Sequence, residues 1–276
     1  MKPTLLALAL LAARPVLAVD YRDLPLADTH ATVAAVDPAR ERLRLFLDDA
    51  AGAPFKRFDG VAAWLDARGQ RLVFAMNAGM YEPDRSPVGL FVADGKQQAA
   101  LNTKDGVGNF YLKPNGVFFL RADGTAGVLE TSRYAAAGIQ PLLATQSGPL
   151  LVDDGIIHPA FNPHSTSRLI RNGVGVDGKG TVIFAISDGP VSLYEFATFF
   201  RDTLHCANAL YLDGTVSSLY APALRRDDAR AELGPIIGVV DARIDDHSGA
   251  RRHGRGRSIK AVTPESNTAS PNRARR

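Results

Sequence analysis

Two aspartates stand at positions suited to acid–base chemistry. Asp188 follows the apolar run 181–187 and precedes Gly189, and Asp213 follows the run 209–212 and precedes Gly214. Between the runs Ser192 and Glu195 have the spacing of a capping box. Leu193, Phe196, Ala197, Phe199, Phe200 and Leu204 then lay an apolar stripe along a helix. Strand, helix, strand is a crossover long enough to join two parallel strands of one sheet. Both carboxylates then leave the sheet at one edge, where ligands of such sheets bind. Glycosidic hydrolysis uses such a pair: one carboxyl protonates the leaving oxygen or activates water, and the other attacks or stabilises the oxocarbenium-like centre. Either aspartate taken alone reads equally as a strand-ending turn. Asn77, closing the run 72–76, joins them if its strand is also parallel.

The rest of the chain reads as strands with two or three helices. Residues 32–36 and 43–47 alternate like half-buried strands, and 59–68 reads as a helix capped by Asp59 and stopped by Gly69. Runs at 89–93, 109–112 and 117–121 read as strands divided by Asp94-Gly95 and Asn115-Gly116, both hairpin signals. A short helix is predicted near 132–137. Asp153-Asp154-Gly155 and Asp177-Gly178 mark two further hairpins. The expectation is an α+β fold, a mixed β-sheet with flanking helices in a single domain.

Charge and export divide the chain into three. Lys2, the apolar run 5–12 and the small residues ending at Ala18 read as a signal peptide over 1–18, too short to span a bilayer. Of 32 basic and 29 acidic residues, eight basic and one acidic lie in 247–276 and two basic in the leader. The domain 19–246 therefore carries 22 basic against 28 acidic residues, which argues against nucleic-acid binding. The tail 247–276 has too few apolar residues to fold. The expected location is periplasmic or secreted, with no transmembrane segment after cleavage. The single cysteine, Cys206, reads as a buried thiol. His158, Asp153, Asp154 and His164 cluster without metal-site spacing. Gly173-x-Gly175-x-x-Gly178 ends in a hairpin turn and is no dinucleotide fingerprint. Neither cofactor nor metal is expected.

Five segments occur in order: Ala75-Met76-Asn77-Ala78-Gly79-Met80-Tyr81, Thr145-Gln146-Ser147-Gly148-Pro149-Leu150-Leu151, Arg171-Asn172-Gly173-Val174-Gly175-Val176, Ile186-Ser187-Asp188-Gly189 and Leu212-Asp213-Gly214-Thr215-Val216-Ser217-Ser218. Together, over about residues 70–222, they resemble the phosphodiester glycosidase family. The resemblance implies a sugar-phosphodiester or related envelope-glycan substrate, with Asp188 and Asp213 as the catalytic pair. Asn77, Gly79, Ser147, Gly148, Arg171, Gly214 and Ser217 would bind substrate. Arg171 has the forked donors to clamp a phosphate, against the plainer reading of a structural ion pair. Thr215 stands where the family keeps glycine, and the alternative is an inactive glycan-binding protein on the same fold.

Overall fold

The computed structural model describes residues 19–228 and 231–242; the leader and the basic tail lie outside them. The first half of the chain runs β1 (Asp20–Leu26), β2 (Thr29–Val36), β3 (Arg42–Phe46), α1 (Phe58–Asp66), β4 (Gln70–Asn77), β5 (Phe91–Ala93), β6 (Lys96–Ala99), β7 (Gly116–Leu120), β8 (Ala126–Glu130) and α2 (Thr131–Ala136). The second half runs β9 (Leu143–Ser147), β10 (Leu150–Asp153), β11 (Ile156–Ile157), β12 (Asn172–Asp177), β13 (Val182–Ser187), α3 (Leu193–Thr198), β14 (Cys206–Asp213), β15 (Leu219–Ala221), β16 (Arg226–Asp227) and β17 (Ile236–Ala242). Among the described residues strand makes up 42% and helix 14%, so the fold is mostly β with a few helices.

The strands form three sheets, ordered β1-β2-β13-β12-β14-β10-β11, β16-β15-β4-β17-β3 and β6-β5-β9-β7-β8. Every strand pairing among the described residues is antiparallel, in place of the expected mixed sheet. One core lies between the sheets. Phe184 of β13 sits at its centre, its ring 5.0 Å from Phe74 of β4 and 6.2 Å from Phe118 of β7. The alternate residues Ile183 and Ala185 pack on the opposite face with Phe196, Ala197 and Phe200, under α3. Covering on both faces explains why the run 182–187 is continuously apolar rather than alternating. α1 covers the second sheet through Val61 and Leu65, and α2 covers the third through Tyr134 on Phe119.

Local chemistry sets the ends of these elements. Ser192 and Glu195 form the predicted capping box in full, and the hairpins at Asp94-Gly95, Asp153–Gly155 and Asp177-Gly178 form as expected. Three expectations give way. Asp59 lies in the first turn of α1, whose cap is Arg57, and its carboxylate takes the Gly60 N–H. Residues 109–111 are a 3-10 turn, not a strand. Asn115-Gly116 is not a hairpin turn: Asn115 is buried, donates to the Phe110 carbonyl at 2.8 Å and accepts from the Thr131 hydroxyl at 2.8 Å. Its side chain fixes a bend before β7 that propensity alone reads as a turn. Cys206 is buried, and burial pushes its thiol up to about 12, so it is unreactive near neutral pH.

Candidate active site at the ends of β13 and β14

β12 lies between β13 and β14 and pairs antiparallel with each, so the two flanking strands run the same way without touching. Asn172 stands opposite Ile186 on one side and Asp213 on the other. Asp188 and Asp213 therefore leave the sheet at the same edge, as the sequence pattern predicts. Two strand spacings put their backbones about 10 Å apart across the sheet, and two residues of rise add about 7 Å along it. β14 is bulged here. Gly173 faces Tyr211 and Asn172 faces Asp213, so Leu212 is an extra residue. A bulge re-aims the residue it precedes.

Asparagines and serines from two sheets hold the Asp213 loop. Asn77, the last residue of β4, reaches across the core instead of lying beside β14 in a parallel sheet. Its Oδ1 accepts from the Ser218 N–H at 2.9 Å and from Asn172 Nδ2 at 3.0 Å. Asn172 Oδ1 in turn accepts from the Asp213 N–H at 3.1 Å. The Ser217 hydroxyl lies 2.5 Å from the Asp213 carbonyl and 3.0 Å from the Ile170 carbonyl. All four of these polar side chains, Asn77, Asn172, Ser217 and Ser218, are buried. A buried network whose members are satisfied rigidifies what it carries.

What it carries is a carboxyl group with unusual surroundings. Asp213 is only partly exposed, and no cation among the described residues forms an ion pair with it. Burial raises its pKa, opposed by the backbone N–H groups of Thr215, Gly214 and Val216. The Thr215 N–H bond to Oδ1 is 2.9 Å. Thr215 itself is exposed, so its side chain leaves that backbone bond in place. Beneath the loop, a Cβ on Gly214 would collide with the Tyr211 hydroxyl, so any side chain here must displace the tyrosine from its place under the turn. Burial pushes Tyr211 up to about 12, with Asp213 adding to the shift and Arg171 opposing it.

Arg171 is turned inward. It is 2% exposed, and its three nitrogens donate to the Val191 carbonyl at 2.7 Å, the Tyr211 hydroxyl at 3.0 Å and the Ser167 carbonyl at 3.1 Å. The guanidinium thus faces the interior rather than a cleft open to a phosphate, because carbonyls of two loops and a phenol satisfy it there. Its backbone N–H is not free for substrate either, since it donates to the Ser187 hydroxyl at 2.9 Å.

Asp188 is exposed at 41% of its side chain and meets Arg226 of β16, Oδ1 to Nη1 at 2.8 Å. The same Arg226 nitrogen donates to the Thr32 hydroxyl at 2.9 Å, and Nη2 lies 3.0 Å from Asp228. Nothing in the sequence marks Arg226 or Asn172 as partners of the aspartates beyond their lying in or after the matched segments. Tyr211 carries only the weak signal of standing two residues before Asp213.

The remaining candidates are placed as supports. The Ser147 hydroxyl donates to the Leu212 carbonyl at 2.8 Å and ties β9 to β14. A Cβ on Gly148 would meet Asn115 Cβ and the Phe110 carbonyl at 2.7 Å, and one on Gly79 would meet Thr145 Oγ1 at 3.1 Å. Asp153 and Asp154 are both paired with Arg133, and His158 stacks on Phe161 at 4.7 Å. A surface cavity of about 450 Å³, lined in part by Arg40, Arg42, Arg68 and Gln70, opens at the other end of the second sheet. Gln70 begins the strand that Asn77 ends, so that cavity lies about 23 Å from the aspartates' edge.

Comparison with known proteins bears on the family and the fold. The chain is similar to the uncharacterized protein YigE of Escherichia coli K12, 36% identical over 222 residues, covering 80% of this chain and 85% of that one. Its fold is similar to the catalytic domain of zebrafish N-acetylglucosamine-1-phosphodiester alpha-N-acetylglucosaminidase, described as auto-inhibited by its pro-peptide. That match has a TM-score of 0.55 at 17% identity, over 80% of this chain and 81% of the other. A family model described as phosphodiester glycosidase matches residues 70–240, a span that takes in β4, the asparagine–serine network and both aspartates. The chain belongs to the phosphodiester glycosidase family.

Proposed function

We propose that this protein is an exported hydrolase of a glycosyl phosphodiester or related envelope glycan, with Asp213 as the proton donor to the leaving oxygen. The observation that carries the reading is the Asp213 carboxyl: held by a buried network, without an ion pair among the described residues and raised in pKa by burial. A general acid is served by a raised pKa, and burial without a paired cation shifts Asp213 in that direction. Asp188, its charge met by Arg226, is the second carboxylate. With backbones about 12 Å apart, the carboxyls must turn toward each other to reach the about 6.5–9.5 Å of an inverting pair, and the about 5–5.5 Å that direct attack needs is further off still, which favours a water between them.

Turnover of an aryl sugar phosphodiester, followed by release of the aryl phosphate and by NMR of the freed sugar, tests both halves. Hydrolysis with inversion is expected. Retention would remove Asp188 from the water-activating role, and binding of the diester without turnover would leave a glycan-binding protein.

Export rests on the leader. Mass spectrometry of the protein from a periplasmic fraction should find a mature N-terminus near Val19. An intact Met1 on cytoplasmic material would overturn it.

A further inference from the structure

Close to Asp213, three loops bring two cations onto one carboxylate. Arg85 Nη2 and Lys56 Nζ lie 3.0 and 3.5 Å from the same oxygen of Glu232. The Tyr81 hydroxyl donates to the Glu232 carbonyl at 2.6 Å, and the Leu233 N–H donates to the Lys56 carbonyl at 2.7 Å. The Arg85 guanidinium lies over the Tyr81 ring, 5.2 Å from its centroid. A Cβ on Gly234 would stand 2.6 Å from Tyr81, so the ring is wedged between the 231–234 segment and Arg85. Tyr81 follows directly from the end of β4, four residues past Asn77, and it is near enough to Asp213 to feel that charge.

Two features set this cluster apart from an ordinary surface ion pair. It brings two cations onto a single carboxylate oxygen. Both cations also sit in the left-handed backbone region, Lys56 at φ 60° and Arg85 at φ 76°, two of the seven non-glycine residues so placed among those described. A residue with a Cβ is held in that region only when its surroundings fix it, and such positions concentrate at ligand clamps.

We propose that Arg85 and Lys56 form the subsite for the anionic, phosphate-bearing part of the substrate, with Tyr81 as the wall between that subsite and Asp213. The forked guanidinium suits the two unesterified oxygens of a phosphodiester, and the ammonium adds a point charge. That the anion is the diester of a glycosyl substrate rests on the hydrolase reading; the existence of an anion site beside Tyr81 does not.

Titration of the full-length protein with inorganic phosphate by calorimetry decides the site, and steady-state kinetics decide its role. The wild type is expected to bind phosphate. Arg85→Met and Lys56→Met should each weaken that binding by about tenfold, the loss of one charge-assisted contact. Arg85→Lys should recover part of it, and Arg42→Met, at the distant cavity, should change nothing. With an aryl sugar phosphodiester, Arg85→Met should raise KM about tenfold with kcat little changed, while hydrolysis of an uncharged aryl glycoside is unaffected. Phosphate binding unchanged in both Met variants, with melting temperatures held, would overturn the subsite, as would a wild type that ignores phosphate. If phosphate binds as expected but no diester is turned over, the anion site stands and the hydrolase reading falls.

Discussion

Asp213→Asn should lower the rate of diester hydrolysis by about 10²–10⁴-fold, the usual loss when a positioned acid is removed. The fold should survive, because the asparagine Oδ1 can still take the Thr215 N–H that Asp213 Oδ1 accepts at 2.9 Å. A turn carboxylate with no chemical role would leave the rate nearly unchanged and shift stability by about 0.5 kcal/mol or less, so the two outcomes differ by orders of magnitude. pH gives a second handle. The folded-state pKa of Asp213 is raised by burial. As the acid it must be protonated, so kcat/KM should fall on the alkaline side as pH rises through that raised value. For stability, a raised folded pKa means the contribution is fully present below the unfolded carboxylate value near 3.9 and is lost as pH rises through the folded one. The Asp213→Asn variant has no such loss, because its amide does not titrate. Urea unfolding of wild type and variant across that window should therefore show the difference moving in the variant's favour with rising pH. A difference independent of pH would mean that burial does not disfavour this charge, and Asp213 would no longer qualify as the acid.

Much of this site was legible from period and turn chemistry. The apolar runs ending at Asp188 and Asp213, the capped helix between them and the two Asp-Gly exits are local signals, and each depends on residues a few positions apart. That both aspartates share an edge followed from the crossover. That β12 lies between their strands did not, because β12 precedes β13 and enters through its own hairpin. The direction in which polar side chains turn was the least legible. Arg171 reaches the Tyr211 hydroxyl 40 positions on, and Asn77 reaches Asn172 across 95 and Ser218 across 141. A polar residue in a matched segment looks the same in sequence whether it faces substrate or holds a loop. Burial distinguishes the two, and burial is set by the packing of three sheets. Asn77, Ser147, Arg171 and Ser217 are all buried, and together they place one partly exposed carboxylate.

Arg171→Met should be the most destabilising polar substitution at the site, costing about 3 kcal/mol or more. The guanidinium holds the carbonyls of Val191 and Ser167 and the hydroxyl of Tyr211. Methionine leaves two buried acceptors, the Val191 carbonyl and the Tyr211 hydroxyl, and the Ser167 carbonyl nearer the surface without a donor, and hydrogen bonds to charged groups are worth about 1.5–3 kcal/mol each. Removing a buried cation from water-excluded surroundings offsets part of that loss, which is why the expected figure is below the sum. Lysine should recover little, because one ammonium cannot span acceptors that diverge as these do. The substitution also bears on mechanism. Val191 stands three residues after Asp188, and Tyr211 lies directly under the Asp213–Gly214 turn. One side chain thus braces the exits of both aspartates, so its loss should lower kcat as well as the urea midpoint. An arginine whose task was to clamp the substrate would behave otherwise: KM would rise, kcat and the urea midpoint would hold, and a high concentration of diester would restore full rate. Unfolding curves for wild type, Arg171→Met and Arg171→Lys, read beside their KM values, separate a brace from a clamp. An unchanged midpoint with a raised KM would return Arg171 to the substrate, and the inward-facing geometry would then not be the one the working enzyme uses.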